Sequence, residues 1–173
     1  MAQADDSSRA LGSLRDDTRV AAVVSTYHEQ VTGGMFRSAA RTLIEAGLDA
    51  TNLTDVRVPG AYELPLVAQA LARRDDIDAV LCFGLVLKGE TDHDRYISSA
   101  VADALMRIGL ETETPVLFGL LTCNTLEQAE ARARSREQGG LDKGHEVAVA
   151  AVELLSALEA ARGNGALAPG GIS

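Results

Sequence analysis

The stretch AVLCFGLVLKGETDHDRYISSAVADALMRIG, residues 79–109, decides the fold. Ala79 to Leu87 is nearly all apolar and bounded by polar residues, which marks a strand buried on both faces. Beyond Gly89 the period changes. Tyr96, Ile97, Ala100, Val101, Ala104, Leu105 and Ile108 recur at helical spacing and predict an inward stripe over about 92–108, with Thr91 or Asp92 placed to cap its start. A strand that feeds a helix through a short glycine loop is half of a βαβ unit.

The same alternation extends in both directions. Towards the amino end, Val20 to Thr26 reads as a strand. A helix over about 32–47 follows, with Phe36, Ala39, Ala40, Leu43 and Ile44 inward and Gly47 suited to a C-terminal cap. A short strand at 55–58 ends at Pro59-Gly60. The next helix covers about 62–73, with Leu64, Val67, Ala68 and Leu71 inward and Pro65 acceptable only in its first turn. Towards the carboxyl end lie a strand at 116–121, a helix at about 126–134, a polar glycine-containing break, and a helix at about 143–162 with Val147, Ala150, Ala151, Leu154, Leu155 and Leu158 inward. The order β-α-β-α-β-α-β-α-α predicts an α/β fold, a three-layer α/β/α sandwich of flavodoxin-like type around a central four-stranded parallel sheet. Residues 1–17 are expected to form a flexible leader, 18–162 a single domain, and 163–173 a disordered tail rich in Gly and small residues.

Bulk composition bounds the function. The 173 residues are 46% hydrophobic and 24% charged, enough for one packed domain. Aromatics are only 3% and Trp is absent, so the core must be built from Val, Leu, Ile and Ala. The net charge of −9 argues against nucleic acid or an anionic membrane as partner through a broad basic face. No segment has the length of a bilayer span or a signal peptide, so a cytoplasmic location is expected. Cys82 and Cys123 each fall in or at the end of an apolar run and read as buried free thiols.

In parallel α/β sheets ligands bind beyond the carboxyl ends of the strands. Tyr27 and His28 follow the first strand, Glu63 opens the second helix, and Gly89 to His93 joins the third strand to its helix. The Gly89 loop presents free N–H groups at a helix N-terminus, which suits an anion such as phosphate. His93 in that first turn would stand beside it as a base held neutral by the helix dipole, or is an ordinary surface residue. Glu90 and Asp92 oppose an anion unless their side chains turn away. Glu63 reads either as a hydroxyl-binding carboxylate or as simple dipole stabilisation. Tyr27 reads as a stacking platform or a strand-end core residue, and Phe118 as core or ligand contact. The basic residues from Arg132 to Lys143 are a solvated face unless an anion lies near. Walker, Rossmann, metal-ligand and nucleophile-elbow patterns are all missing, so neither a nucleotide cofactor nor a catalytic metal has an evident seat.

Five stretches then stand together: AAVVSTYHE at 21–29, VRVPGAYELPLVAQAL at 56–71, FGLVLKGETDHDRYI at 83–97, TPVLFGLLTCNTLEQAEARA at 114–133 and DKGHEVAVAAVELL at 142–155. By their order and spacing, above all the PGAYELP and KGETDH blocks, the chain resembles the lumazine synthase family from about Arg19 to Leu158. The resemblance implies a transferase of riboflavin biosynthesis. It condenses 5-amino-6-(D-ribitylamino)uracil with L-3,4-dihydroxy-2-butanone 4-phosphate to give 6,7-dimethyl-8-ribityllumazine, and it uses no cofactor. It implies that Tyr27 stacks on the pyrimidine, that Ala61, Tyr62 and Glu63 hold the ribityl chain, and that the backbone of Leu85, Val86 and Leu87 meets the pyrimidine edge. Glu90 and Thr91 would offer backbone N–H groups to the phosphate, with the Glu90 side chain turned away, and His93 would transfer protons. Phe118 and Arg132 would come from a neighbouring subunit, the arginine pairing with phosphate, and Lys143 would be a second cation there. The family assembles as homo-oligomeric pentamers, in some members as sixty-subunit icosahedral cages of twelve pentamers. Three departures stand out: His28 where the family usually has Asn, Asp94 where an aromatic is usual, and a longer segment from Arg134 to Leu141.

Overall fold

The computed structural model describes residues 11–163. Nine main elements alternate along the chain: β1 (Val20–Ser25), α1 (Glu29–Glu45), β2 (Leu53–Val58), α2 (Leu64–Ala72), β3 (Ala79–Leu87), α3 (His93–Thr112), β4 (Val116–Cys123), α4 (Leu126–Ala133) and α5 (Lys143–Ala161). The strands form one parallel sheet in the order β2-β1-β3-β4. The predicted α/β fold is therefore the observed one. β1 is buried throughout and β3 at all but its last residue, because each has a neighbour on both edges and helices on both faces. The edge strands β2 and β4 carry exposed positions.

Side-chain alternation divides the core in two. Val20, Ala22 and Val24 of β1 and Phe83 of β3 face α1, α4 and α5, where they meet Met35, Leu43, Ala129, Ala148 and Val152. Ala21, Val23 and Cys82 face α2 and α3, where they meet Leu64, Ala68, Val101 and Leu105. Both thiols are buried and unpaired, as expected.

Several sequence expectations need correction. Helix α1 begins at Glu29 rather than Thr32, because His28 adopts a left-handed conformation that turns the chain straight from β1 into the helix. Helix α2 proper starts at Leu64, after a 3-10 turn over Ala61–Glu63, with Pro65 in its first turn as required. Neither Thr91 nor Asp92 makes a side-chain cap on α3. Ile44, Tyr96 and Leu154 are exposed, as are Ala100 and Ala150, so the apolar stripes of α1, α3 and α5 extend beyond the faces that pack on the sheet. In α5 the expected Ala151 is buried and Val147 and Leu155 pack against the core, but Gly144, Ala148 and Val152 join the inward line in place of Ala150 and Leu154. Part of the expected flexible leader is packed: Leu14 is buried, and its N–H donates to the Ala46 carbonyl at 2.8 Å. Residues 1–10 of that leader and the tail beyond Gly163 lie outside the described residues. Among the described residues no helix is long and apolar enough to cross a membrane, and no group of three or more His, Cys, Asp or Glu side chains is arranged to hold a metal ion.

Candidate active site

The strand order reverses between β1 and β3: α1 carries the chain from β1 out to one edge, and α3 carries it from β3 to the other. The connections leaving these two paired strands part to opposite sides there, which in parallel α/β sheets opens a crevice. Tyr27 stands at its β1 side. The Thr26 and Tyr27 N–H groups donate to the carbonyls of Val58 (2.8 Å) and Pro59 (3.1 Å), which ties the end of β1 to the start of the Pro59–Glu63 segment. That segment folds over β3 at Gly84, where an added Cβ would lie 2.9 Å from Leu64 and 3.5 Å from Ala61. Ala61 is thereby buried, whereas Tyr62 and Glu63 are exposed at the crevice edge. Leu85 and Val86 are buried and Leu87 half-buried, so their backbone is what they offer at this end of β3.

Tyr27 is 61% exposed, which excludes the core reading left open by the sequence. Its ring meets that of His28 edge-on at 4.3 Å. Across the crevice, the backbone N–H groups of Glu90 and Thr91 meet no acceptor among the described residues. They precede the N-terminus of α3, where the helix dipole adds to the anion preference. His93 is the first residue of α3, exposed, and its imidazole has no partner among the described residues.

Ten of the thirteen expected site residues thus gather at the carboxyl ends of β1, β2 and β3: Tyr27, Ala61, Tyr62, Glu63, Leu85, Val86, Leu87, Glu90, Thr91 and His93. Phe118, Arg132 and Lys143 lie apart on β4, α4 and α5, and no hydrogen bond or ion pair joins them to the first group. Phe118 projects half-exposed from the edge strand. The Arg132 guanidinium donates to the Gln128 carbonyl at 3.0 Å, and Lys143 pairs with Glu146.

Sequence reasoning passed over Ser25. Its Oγ, His28 Nε2 and Asp94 Oδ1 are buried side-chain atoms without a partner, and all three belong to segments that border the crevice. His28 and Asp94 were visible as departures from the family pattern. Ser25 gave no signal, because a serine ending an apolar strand is ordinary.

The family model for 6,7-dimethyl-8-ribityllumazine synthase matches residues 17–159, nearly the whole described chain. The chain belongs to the 6,7-dimethyl-8-ribityllumazine synthase family. A protein of Salinibacter ruber named 6,7-dimethyl-8-ribityllumazine synthase is 45% identical over 139 residues, covering 80% of this chain and 87% of that protein. One of Streptomyces coelicolor with the same name is 44% identical over 142 residues, 82% of this chain and 86% of its own length. The 6,7-dimethyl-8-ribityllumazine synthase 1 of Caulobacter vibrioides is 43% identical over 146 residues, 84% and 94% respectively. The family match spans β1 to α5, so the crevice and the three outlying residues both fall inside the lumazine synthase region.

Proposed function

We infer that this chain forms 6,7-dimethyl-8-ribityllumazine from 5-amino-6-(D-ribitylamino)uracil and L-3,4-dihydroxy-2-butanone 4-phosphate, releasing inorganic phosphate and two waters. One observation carries the reading. Two unpartnered N–H groups at Glu90 and Thr91 stand at a helix N-terminus directly before an unpaired imidazole, His93, with an exposed aromatic, Tyr27, on the other wall. That is an anion seat, a proton carrier and a stacking surface around one crevice.

The chemistry asks little else of the protein. The uracil 5-amino group adds to the ketone and loses water, phosphate leaves, and the ribitylamino nitrogen closes the ring with loss of the second water. Holding two reactants in register supplies much of the rate, and proton transfer by His93 supplies more. Tyr27 stacks on the pyrimidine and the Leu85–Leu87 backbone reads its edge. Ala61 and Tyr62 line the ribityl chain, and Glu63 accepts its hydroxyls. The N–H groups of Glu90 and Thr91 hold the leaving phosphate, with the dipole of α3 behind them.

Phe118, Arg132 and Lys143 complete the site from a second copy. Arg132 is the phosphate's guanidinium partner and Lys143 a further cation. The exposed apolar side chains Leu66 on α2 and Tyr96, Met106 and Leu110 on α3, with Tyr62 in the turn before α2, support association. The assembly is a pentamer, or a cage of twelve pentamers, working in the cytoplasm without a cofactor.

Mixing the protein with both substrates and following the lumazine chromophore is the test. Absence of product above the uncatalysed background overturns the assignment. His93→Ala is expected to lower kcat by about 10- to 100-fold, near the low end of what a positioned general base contributes, with both KM values little changed.

A further inference from the structure

Among the described residues, the side-chain hydrogen bond of longest sequence range ties α1 to the N-cap of α5. Ser38 Oγ on α1 donates to Asp142 Oδ1 at 2.5 Å, across 104 residues of sequence, and both residues are buried. No ion pair neutralises Asp142 among the described residues. Its carboxylate is held instead by Ser38 and by the His145 backbone N–H at 3.2 Å, as the N-cap of α5. Asp142 also adopts a left-handed conformation, φ 53° and ψ 58°, which Asp tolerates better than most residues.

Four further contacts converge on the same region. The Leu141 and Asp142 N–H groups donate to the carbonyls of Ala131 and Arg134, both at 3.0 Å, which sews the start of α5 to the end of α4. Thr42 Oγ1 lies 2.9 Å from His145 Nδ1, a second tie between α1 and α5. At Gly144 the α5 backbone presses on α1, so that an added Cβ would fall 2.1 Å from the Met35 carbonyl oxygen. The residue next to Ala131 is Arg132, and the residue after Asp142 is Lys143. Both cations assigned above to the phosphate therefore sit one residue from a bond that fixes this hub.

We propose that Asp142, clamped by Ser38, is a positioning residue for the phosphate side of the reaction. It sets Arg132 and Lys143 in one register with each other and with α1. The proposal rests on the function proposed above. Asp142 does not touch substrate: its residue is buried and its Oδ1 is held by both Ser38 and the His145 N–H at the start of α5. Its effect is geometric, and a displacement on the order of 1 Å in a charged clamp is enough to lower affinity substantially.

The test uses inorganic phosphate as the probe, titrated calorimetrically into the assembled protein, together with the KM for each substrate. Ser38→Ala removes the clamp. Asp142→Gly keeps the left-handed backbone and removes the carboxylate. Both are expected to weaken phosphate binding and raise KM for the phosphorylated ketone by roughly tenfold, leaving KM for the pyrimidine within about twofold. Asp142→Asn, which keeps an acceptor for Ser38 and for the cap, restores both values. The positioning role is overturned if Asp142→Gly binds phosphate as the parent does, if both KM values move together, or if the parent binds no phosphate. A parent that binds phosphate yet makes no lumazine overturns the proposed function instead, and the binding comparison still decides the role of Asp142.

Discussion

The two faces of the sheet are finished differently. On one, α1, α4 and α5 close over Met35, Leu43, Phe83 and Val152, and polar links between Ser38, Thr42, Asp142 and His145 lock α1 to α5. On the other, α2 and α3 cover the sheet with Leu64, Val101 and Leu105 but leave a second apolar layer outside. Leu66 is 76% and Leu110 73% exposed. The α1/α4/α5 face leaves smaller apolar exposures, with Ile44 at 47% and Leu154 at 39%. A face that turns Leu, Met and Tyr outward is open to a partner, and the proposed function assigns that place to a second copy.

The largest effect expected of a single substitution falls on the sealed face. Gly144→Ala drives a methyl into the Met35 carbonyl, a backbone atom that cannot swing aside. We expect a loss of about 3 kcal/mol or more in urea unfolding, at the upper end of overpacking costs. An unchanged midpoint would mean that α1 and α5 are free to slide, and the contrast between the faces would fail.

The open face predicts the opposite pattern. Leu66→Glu with Met106→Glu changes only exposed positions, so each chain is expected to keep its stability within about 0.5 kcal/mol. Association, however, should be lost, read as a fall in mass in solution. Turnover should fall with it if, as proposed, Phe118 and Arg132 are delivered to a neighbour's crevice. A variant that stays assembled and active sinks this account of the open face.

This asymmetry also explains what the sequence could and could not tell. Ala79–Leu87 is legible to the residue, because a central parallel strand is apolar on both faces and ends where polarity returns. The stripe on α3 is misleading for a related reason. Periodicity reports which residues are apolar, and Tyr96 and Ala100 are apolar yet stay exposed rather than packing on the sheet. The crevice residues were placed because strand-end logic and the PGAYELP and KGETDH blocks agree. The hub at Asp142 was not legible. It depends on a positive φ and on a partner 104 residues away, and neither leaves a local pattern. Ser25 was missed because an unpartnered hydroxyl is a property of its surroundings and not of its type.

The two thiols give the finest probe, one on each face. Cys82 points from the central strand into the core under α2 and α3, and burial pushes its thiol up to about 12. Cys123 ends the edge strand on the sealed side. Burial raises its thiol too, but the Arg132 charge pulls it back down. Because the native Cys82 pKa lies above the unfolded value, its contribution to stability is complete below pH 9. It is then lost as pH rises towards 12, at up to about 1.4 kcal/mol per pH unit. Cys82→Ala should flatten that part of the alkaline unfolding curve relative to the parent; identical slopes would show that the thiol ionises freely in the folded chain. Arg132→Ala should act on Cys123 alone and in the other sense. Without the guanidinium the thiol has less thiolate at pH 8, so its slow modification by a thiol reagent slows further while Cys82 stays inert. This shift is the smallest effect, but it is informative because it senses Arg132 from within its own chain. If the labelling rate is unaltered, the guanidinium is already drawn away from β4, as it would be when engaged in a neighbour's phosphate site.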